Sequence, residues 1–300
     1  MTARCLFVSA VQFPFMPDPT KLLHTLEQAT VHFRQTPGRR GRFIELQDVE
    51  DVLVAGDLHG QLGNFKKLLK LADLASHSRR HFVLQELVHG PFRYPAGGDQ
   101  SHRLLDLVAA LKCQYPRQVH VLLGNHELSQ WTERAIIKND EDLNQLFRLG
   151  VENAFRGQAA VIYEAYGRLI HAMAVAIRLP NRVFLSHSVP GSSRLDAWEL
   201  AQLQREEHGE EDFKLGGCVH AVVWGRDVSQ ATVERYLAKV ECDLLLSGHI
   251  PCDDGYQTPN DRQLILDCKD EKARCCLVPA AQAITSADLL KGVLRLNQAS

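Results

Sequence analysis

Four short polar islands constrain this chain more than any other feature, because each closes an apolar, strand-like run. They are Gly56-Asp57-Leu58-His59-Gly60-Gln61, Gly124-Asn125-His126-Glu127, Ser186-His187-Ser188 and Gly248-His249. The runs before them are Asp51–Ala55 (DVLVA), His120–Leu123 (HVLL), Arg182–Leu185 (RVFL) and Asp243–Leu246 (DLLL). Such runs predict buried strands that deliver polar residues to one edge of a sheet. A carboxylate, several imidazoles and an Asn carbonyl gathered there make a mixed N/O environment suited to divalent transition metals. Asp57 and His59 can grip one ion because Gly56 and Gly60 let the backbone turn sharply beside them.

Between the islands, strand and helix patterns alternate. Helical spacing predicts Lys21–Arg34, Asn64–Ala75, Arg103–Cys113, Arg194–Arg205 and Gln230–Lys239, with mostly helical character over Glu133–Phe155. Strands are expected at His81–Leu84, on either side of the Leu179-Pro180-Asn181 turn, and near Leu264–Asp267 and Arg274–Val278. Strand–loop–helix repetition from Asp51 predicts parallel βαβ units in an α/β fold. Residues 1–50 are expected to be an extension packed on a single domain over 51–300.

Three hundred residues, 45% of them hydrophobic, can bury a large core. A net charge of −2 gives no global reason to expect nucleic acid or a membrane surface as partner. The run Gly38-Arg39-Arg40-Gly41-Arg42 could touch an anion, but a solvated turn is the simpler expectation. No apolar run approaches the ~18–20 residues of a membrane-spanning helix. The segment Arg4–Met16 loosely mimics a signal peptide, but Gln12 and Pro14 interrupt it, so a cytoplasmic protein is expected. The eight cysteines form no C-x-x-C pair, which fits reduced thiols better than a disulfide framework. Within a strand, Cys275 and Cys276 would alternate faces, one buried and one exposed.

The islands resemble the motifs of calcineurin-like metallophosphoesterases, and within them the PPP-type phosphoprotein phosphatases, over about residues 51–280. Asp57-Leu58-His59-Gly60-Gln61 is similar to their first motif, and Gly124-Asn125-His126-Glu127 to their third. Ala174–His187 resembles the hairpin leading to a metal-binding His, with Ser188-Val189-Pro190 replacing the usual Gly-Gly-Leu. Gly248-His249 and Asp254-Gly255-Tyr256 resemble the last His motif and the segment behind it. The second motif departs. Where the family has Gly-Asp-x-x-Asp-Arg-Gly, this chain has Gln85-Glu86-Leu87-Val88-His89-Gly90.

The resemblance implies a four-layer α/β/β/α sandwich and two divalent or mixed-valence ions (Mn, Fe or Zn). One ion would take Asp57, His59 and Glu86; the other would take Glu86, Asn125, His187 and His249. Glu86 thus stands in for the bridging Asp. His126 would be the general acid, and His89 takes the place of the Asp that orients it. The family's phosphate-binding Arg is missing from this motif. Arg226 is the first candidate for phosphate charge, because a planar guanidinium binds two oxygens at once. Arg93 and Arg103 are weaker replacements, and Tyr256 is a candidate pocket wall. The implied activity is hydrolysis of phosphomonoesters, with a phosphorylated protein or peptide, or a small phosphoester, as partner. A dinucleoside polyphosphate or nucleotide phosphoanhydride hydrolase with the same metal core is the alternative. A degenerate binding protein is the third reading, opposed by the retention of six candidate ligands and His126. Oligomeric state is left open.

Overall fold

The computed structural model describes residues 18–298; the segment Arg4–Met16 and Cys5 lie outside them. Two large sheets form the centre. The five-stranded sheet runs in the order Val293–Arg295, Arg274–Pro279, Asp51–Asp57, Arg80–Gln85, Val119–Leu122. Its last three strands are parallel, and helices Leu62–Ala72 and His102–Gln114 carry the chain between them. The seven-stranded sheet runs Arg39–Arg40, Phe43–Glu45, Ala176–Arg178, Val183–Ser186, Leu244–Ser247, Gln263–Leu266, Tyr256–Asn260.

Alternation along the strands explains why these sheets stack. Val52, Val54, Val183, Leu185, Leu244, Leu246, Leu264 and Leu266 pack together in one core between the sheets. Their neighbours Leu53, Ala55, Phe184 and Leu245 point the other way, into the core shared with the helices. The Phe184 ring, for example, meets Tyr236 of helix Gln230–Lys239 edge-on at 5.6 Å. Each sheet is therefore buried on both faces, which is the α/β/β/α sandwich. Each fully buried Leu or Val contributes roughly 1.5–3 kcal/mol relative to exposure. Among the described residues no helix is long and apolar enough to cross a membrane.

The layering corrects one expectation. Cys275 and Cys276 do take opposite faces, one toward the helices and one toward the other sheet. Both are fully buried, because neither face of their strand meets water.

Residues before Asp51 contribute to both layers. Helix Pro19–Arg34, capped by Asp18 accepting from the Thr20 amide at 2.9 Å, packs on helices His102–Gln114 and Ala159–His171. Strand Phe43–Glu45 pairs in parallel with Ala176–Arg178. The basic run is not a solvated turn. Arg39 donates to the carbonyls of Phe33 and Ala172, at the ends of two helices, and Arg42 is 4% exposed. Unsatisfied carbonyls at helix C-termini attract such donors.

Two helical expectations were too generous. Within Glu133–Phe155 only Leu143–Phe155 is helical; Ile137–Lys138 and Glu141–Asp142 form a hairpin instead. Its turn residues, Asn139 and Asp140, both have positive φ (52° and 62°), which Asn and Asp tolerate in two-residue hairpin turns. The stretch Arg194–Arg205 holds two single turns, Ser192–Leu195 and Leu200–Leu203. The break falls where Trp198 turns inward and donates to the Cys218 carbonyl at 3.1 Å.

Candidate metal centre

The polar islands meet where both sheets end. Asp57 pairs with Gln85 and Gln85 with Leu122 at the carboxyl edge of the three parallel strands. In the other sheet Leu185 lies opposite Leu246, so Ser186-His187 and Ser247-Gly248-His249 leave side by side. Isolated bridges between Asp57 and Asp267, and between Leu122 and Ala174, tie the two sheets together there. His59, Glu86, His89 and His249 all hold positive φ (42°, 47°, 61° and 69°). Such backbone is costly for residues with a Cβ, and it clusters here because the strand ends must turn sharply to aim these side chains.

Two glycines are required by close approach. A Cβ on Gly124 would sit 1.9 Å from Glu86 Oε1, and one on Gly248 would sit 2.1 Å from Asp57 Oδ1. The glycines that precede Asn125 and His249 thus make room for the carboxylates.

All six residues expected to ligate are brought together. His187 Nε2 lies 3.4 Å from Glu86 Oε1 and 3.1 Å from Asn125 Oδ1, and its Nδ1 is 3.8 Å from Asp57 Oδ1. His249 Nδ1 is 2.7 Å from Asn125 Oδ1, and His59 Nε2 is 3.6 Å from Glu86 Oε2. The ring protons can be placed from the other nitrogens. His59 Nδ1 faces the Val88 carbonyl at 3.0 Å, so it donates and Nε2 carries the lone pair. His187 Nδ1 faces Gln85 Oε1 at 2.9 Å, while the Gln85 amide donates to the Ala55 carbonyl, so His187 Nε2 is again a lone pair. Acceptors therefore face acceptors across the centre. Asp57 Oδ1 is buried there without any hydrogen-bond partner.

Electrostatics point the same way. Burial first, then repulsion from Asp267, pushes the Asp57 pKa well above the carboxylate range. Burial, Glu127 and Asp57 do the same to Glu86. Burial likewise raises Glu127, whose Oε1 accepts from the Leu87 and Val88 amides at 2.6 and 3.0 Å. Burial lowers the imidazoles, His59 to about 4 and His249 to about 3. Among the described residues no Lys or Arg pairs with Asp57, Glu86 or Glu127. Buried anions and lone pairs without a cation are expensive, and bound cations relieve both at once. The donor set of carboxylate, imidazole and amide oxygen suits Mn, Fe or Zn. The residues present fit the metals that the motifs imply.

Beside this centre lies a histidine pair. His126 Nδ1 is 2.8 Å from His89 Nδ1, and His126 Nε2 is 3.8 Å from Glu86 Oε2. His89 Nε2 contacts Gln130 Oε1 at 2.8 Å, and the Gln130 amide donates to the Tyr163 hydroxyl at 2.7 Å. That amide orientation makes His89 Nε2 a donor, so the neutral ring offers its Nδ1 lone pair to the His126 N–H. Burial lowers His89 to about 4, and burial with four neighbouring imidazoles drives His126 far down.

The centre opens into a cavity of about 560 Å³. Arg226 lines it, with Nη1 3.5 Å from the His249 carbonyl, and Arg93 lines it too. Arg103 is not in the lining; its guanidinium bonds Gln100 Oε1 at 2.8 Å. Tyr256 is not in the lining either and is 36% exposed, since its strand is the outermost of the sheet. The hairpin after Ile136 forms one wall through Ile137 and Lys138. Sequence reading missed Gln85, Gln130 and that hairpin. Gln85 occupies the place of the family's Gly in the second motif, and that departure was its one visible signal.

A family model described as calcineurin-like phosphoesterase matches residues 51–253. The chain belongs to the calcineurin-like phosphoesterase family. Members of that family are phosphoesterases whose chemistry depends on divalent metal ions. Within that family the likeness is to the PPP-type branch, as the motifs imply. A probable serine/threonine-protein phosphatase of Encephalitozoon cuniculi is 24% identical over 233 residues, 72% of this chain and 46% of that protein. Serine/threonine-protein phosphatase 5 of Solanum lycopersicum is 24% identical over 229 residues, 71% of this chain and 37% of its own. The chain thus spans less than half the length of these relatives. A solved protein serine/threonine phosphatase from Saccharomyces cerevisiae shares its fold with a TM-score of 0.66 at 16% identity, covering 92% of this chain and 88% of the other. A cold-active protein-tyrosine phosphatase of a psychrophilic Shewanella superposes with a TM-score of 0.54 at 15% identity, covering 82% and 78%.

Proposed function

We propose that this phosphoesterase is a dinuclear-metal phosphatase that removes phosphate monoesters, chiefly from phosphorylated proteins. The observation that carries it is the set of buried lone pairs converging on Glu86 with no cation of the protein's own among them. Asp57, His59 and Glu86 would hold one ion; Glu86, Asn125, His187 and His249 would hold the other. When bound, two such ions supply Lewis acidity toward a phosphoryl oxygen and bring water ionisation near neutral pH.

The remaining work belongs to side chains. Arg226, seated on the His249 carbonyl, can meet two phosphate oxygens at the cavity wall. Arg93 is the better placed replacement for the missing Arg, since it lines the same cavity and is anchored on the Gly90 carbonyl. His126 presents Nε2 on the Glu86 side of its ring; protonated there, with its Nδ1–H held by His89, it can carry a proton to the departing alkoxide or phenoxide. His89 holds the other ring nitrogen and so fixes the angle of delivery.

Among the described residues no Phe, Tyr or Trp lines the cavity, where Pro91, Ile136, Ile137, Leu143 and Pro251 supply the apolar surface. Without a flat aromatic clamp, a nucleobase has little to stack on, which supports protein phosphoesters over dinucleoside polyphosphates. The relatives named above as serine/threonine and tyrosine phosphatases support the same substrate class. A cytoplasmic location is part of the reading, supported by seven described cysteines that are all unpaired.

The test is an assay of the purified chain with Mn²⁺ on p-nitrophenyl phosphate, phosphopeptides and a diadenosine polyphosphate, with Asp57→Asn and His126→Asn as controls. Turnover of the phosphopeptides that both substitutions abolish is the expected result. Activity indifferent to Asp57→Asn would place the chemistry elsewhere.

A further inference from the structure

A second polar concavity, of about 450 Å³, lies on the seven-stranded sheet's side of the molecule. Arg34, Arg39, Arg42, His171 and His208 line it, and among the described residues Glu206 and Glu207 are its acids. Among the described residues none of the three arginines makes an ion pair. Arg39 is spent on carbonyls, those of Gly41, Phe33 and Ala172. Arg42 is different. It is 4% exposed, stacks on the Phe213 ring at 4.6 Å, and makes one side-chain hydrogen bond, from Nη1 to the His171 carbonyl at 3.0 Å. Its Nε is buried without a partner.

A guanidinium so placed is short of acceptors, because a buried charge is costly unless its hydrogen bonds are satisfied. The nearby acids do not serve. Glu206 and Glu207 are exposed, and Asp212 is held by Arg205 and by the Cys218 thiol. Burial first, and then repulsion from a neighbouring arginine, lowers Arg39 to about 10 and Arg42 to about 9.

The position matters as much as the charge. Phe43 pairs with Ala176, and Ala176 with Ser186, so Arg42 and His187 flank the same line across the sheet. Two strand spacings separate the strand ends, roughly 10 Å.

We propose that this concavity is an accessory site for a phosphate group, on the same sheet edge as the metal centre. Forked donors from Arg42, with Arg34 and His208 at the mouth, suit a tetrahedral oxyanion. The group could be free inorganic phosphate or a second phosphate on the substrate, and in the latter form the inference rests on the phosphatase reading.

The experiment has two arms. Calorimetric titration of the full chain with inorganic phosphate, without added divalent metal, reads the site independently of any catalysis. Arg34→Gln/His208→Gln, at positions that are exposed or half-exposed, should weaken that binding at least tenfold, and Arg42→Gln should abolish it if the chain folds. Unchanged affinity in the double variant, or no phosphate binding by the parent chain, overturns the site. The second arm compares KM for singly and doubly phosphorylated peptides. A lower KM for the double phosphopeptide, lost in Arg34→Gln/His208→Gln, assigns the site to substrate. Equal KM values, with phosphate binding intact in the first arm, assign it to free phosphate.

Discussion

Two clusters on one edge of the sandwich carry opposite burdens. Around Glu86, buried carboxylates and imidazole lone pairs face one another, and among the described residues no Lys or Arg pairs with them. Around Arg42, guanidinium and imidazole donors gather, and among the described residues none of the arginines there forms an ion pair. The acidic cluster is the more enclosed: Glu86 and His187 are 1% and 0% exposed, whereas Arg34 sits at the rim of its concavity. The difference teaches how to read buried charge. Full enclosure with converging lone pairs asks for small ions at short range, and an open cup of N–H donors asks for a larger oxyanion.

The contrast can be broken most forcefully at His126. If it delivers the leaving-group proton, His126→Asn lowers kcat by about 10²–10⁴-fold while leaving metal content unchanged. Metal lost together with activity would make His126 a ligand instead.

Gln85 offers a smaller effect. It fixes the His187 ring through one 2.9 Å hydrogen bond. Removing such support from a ligand costs ~10–100-fold in metal affinity, so Gln85→Leu should raise the manganese requirement by that factor. An unaltered manganese dependence would show that His187 is held by packing alone.

Protonation sharpens the comparison further. Without metal, Asp57 and Glu86 hold protons more tightly folded than unfolded, since their pKa values are raised. The stabilising contribution of these two carboxyls to the metal-free chain is then largest in acid and falls as pH rises from the ordinary carboxylate range through those raised values. The lowered imidazoles His59 and His249 contribute in the opposite sense. Added Mn²⁺ should therefore raise Tm more at about pH 8 than at about pH 5.5. An equal shift at both pH values would contradict the raised pKa values.

The smallest expected effect tests the His89 substitution. His89→Asp gives His126 a carboxylate partner, which favours its protonated form, so the alkaline limb of the activity profile should move to higher pH. A profile that does not move would count against His89 as the orienting residue.

Much of this was legible from the residues. Each polar island lies beside a strand end, and the alternation of Val52 to Ala55 gives the two buried faces. Strand ends are readable because glycine and polar residues interrupt a period that the core imposes. What escaped depends on partners distant in sequence. Arg39 reads as solvated until the Ala172 carbonyl, 133 residues away, comes to meet it. Gln130 reads as an ordinary helical residue until His89 and Tyr163 close on it. The exposure of Cys275 and Cys276 could not be read locally either, because a second sheet covers their strand.

The central claim is that Glu86 is shared by two ions. Manganese content after equilibrium dialysis tests it most directly, comparing the parent chain with Glu86→Gln. The account predicts about two ions per parent chain and loss of both in the variant, since one carboxylate serves each site. Two ions retained by Glu86→Gln, or none bound by the parent, would contradict it.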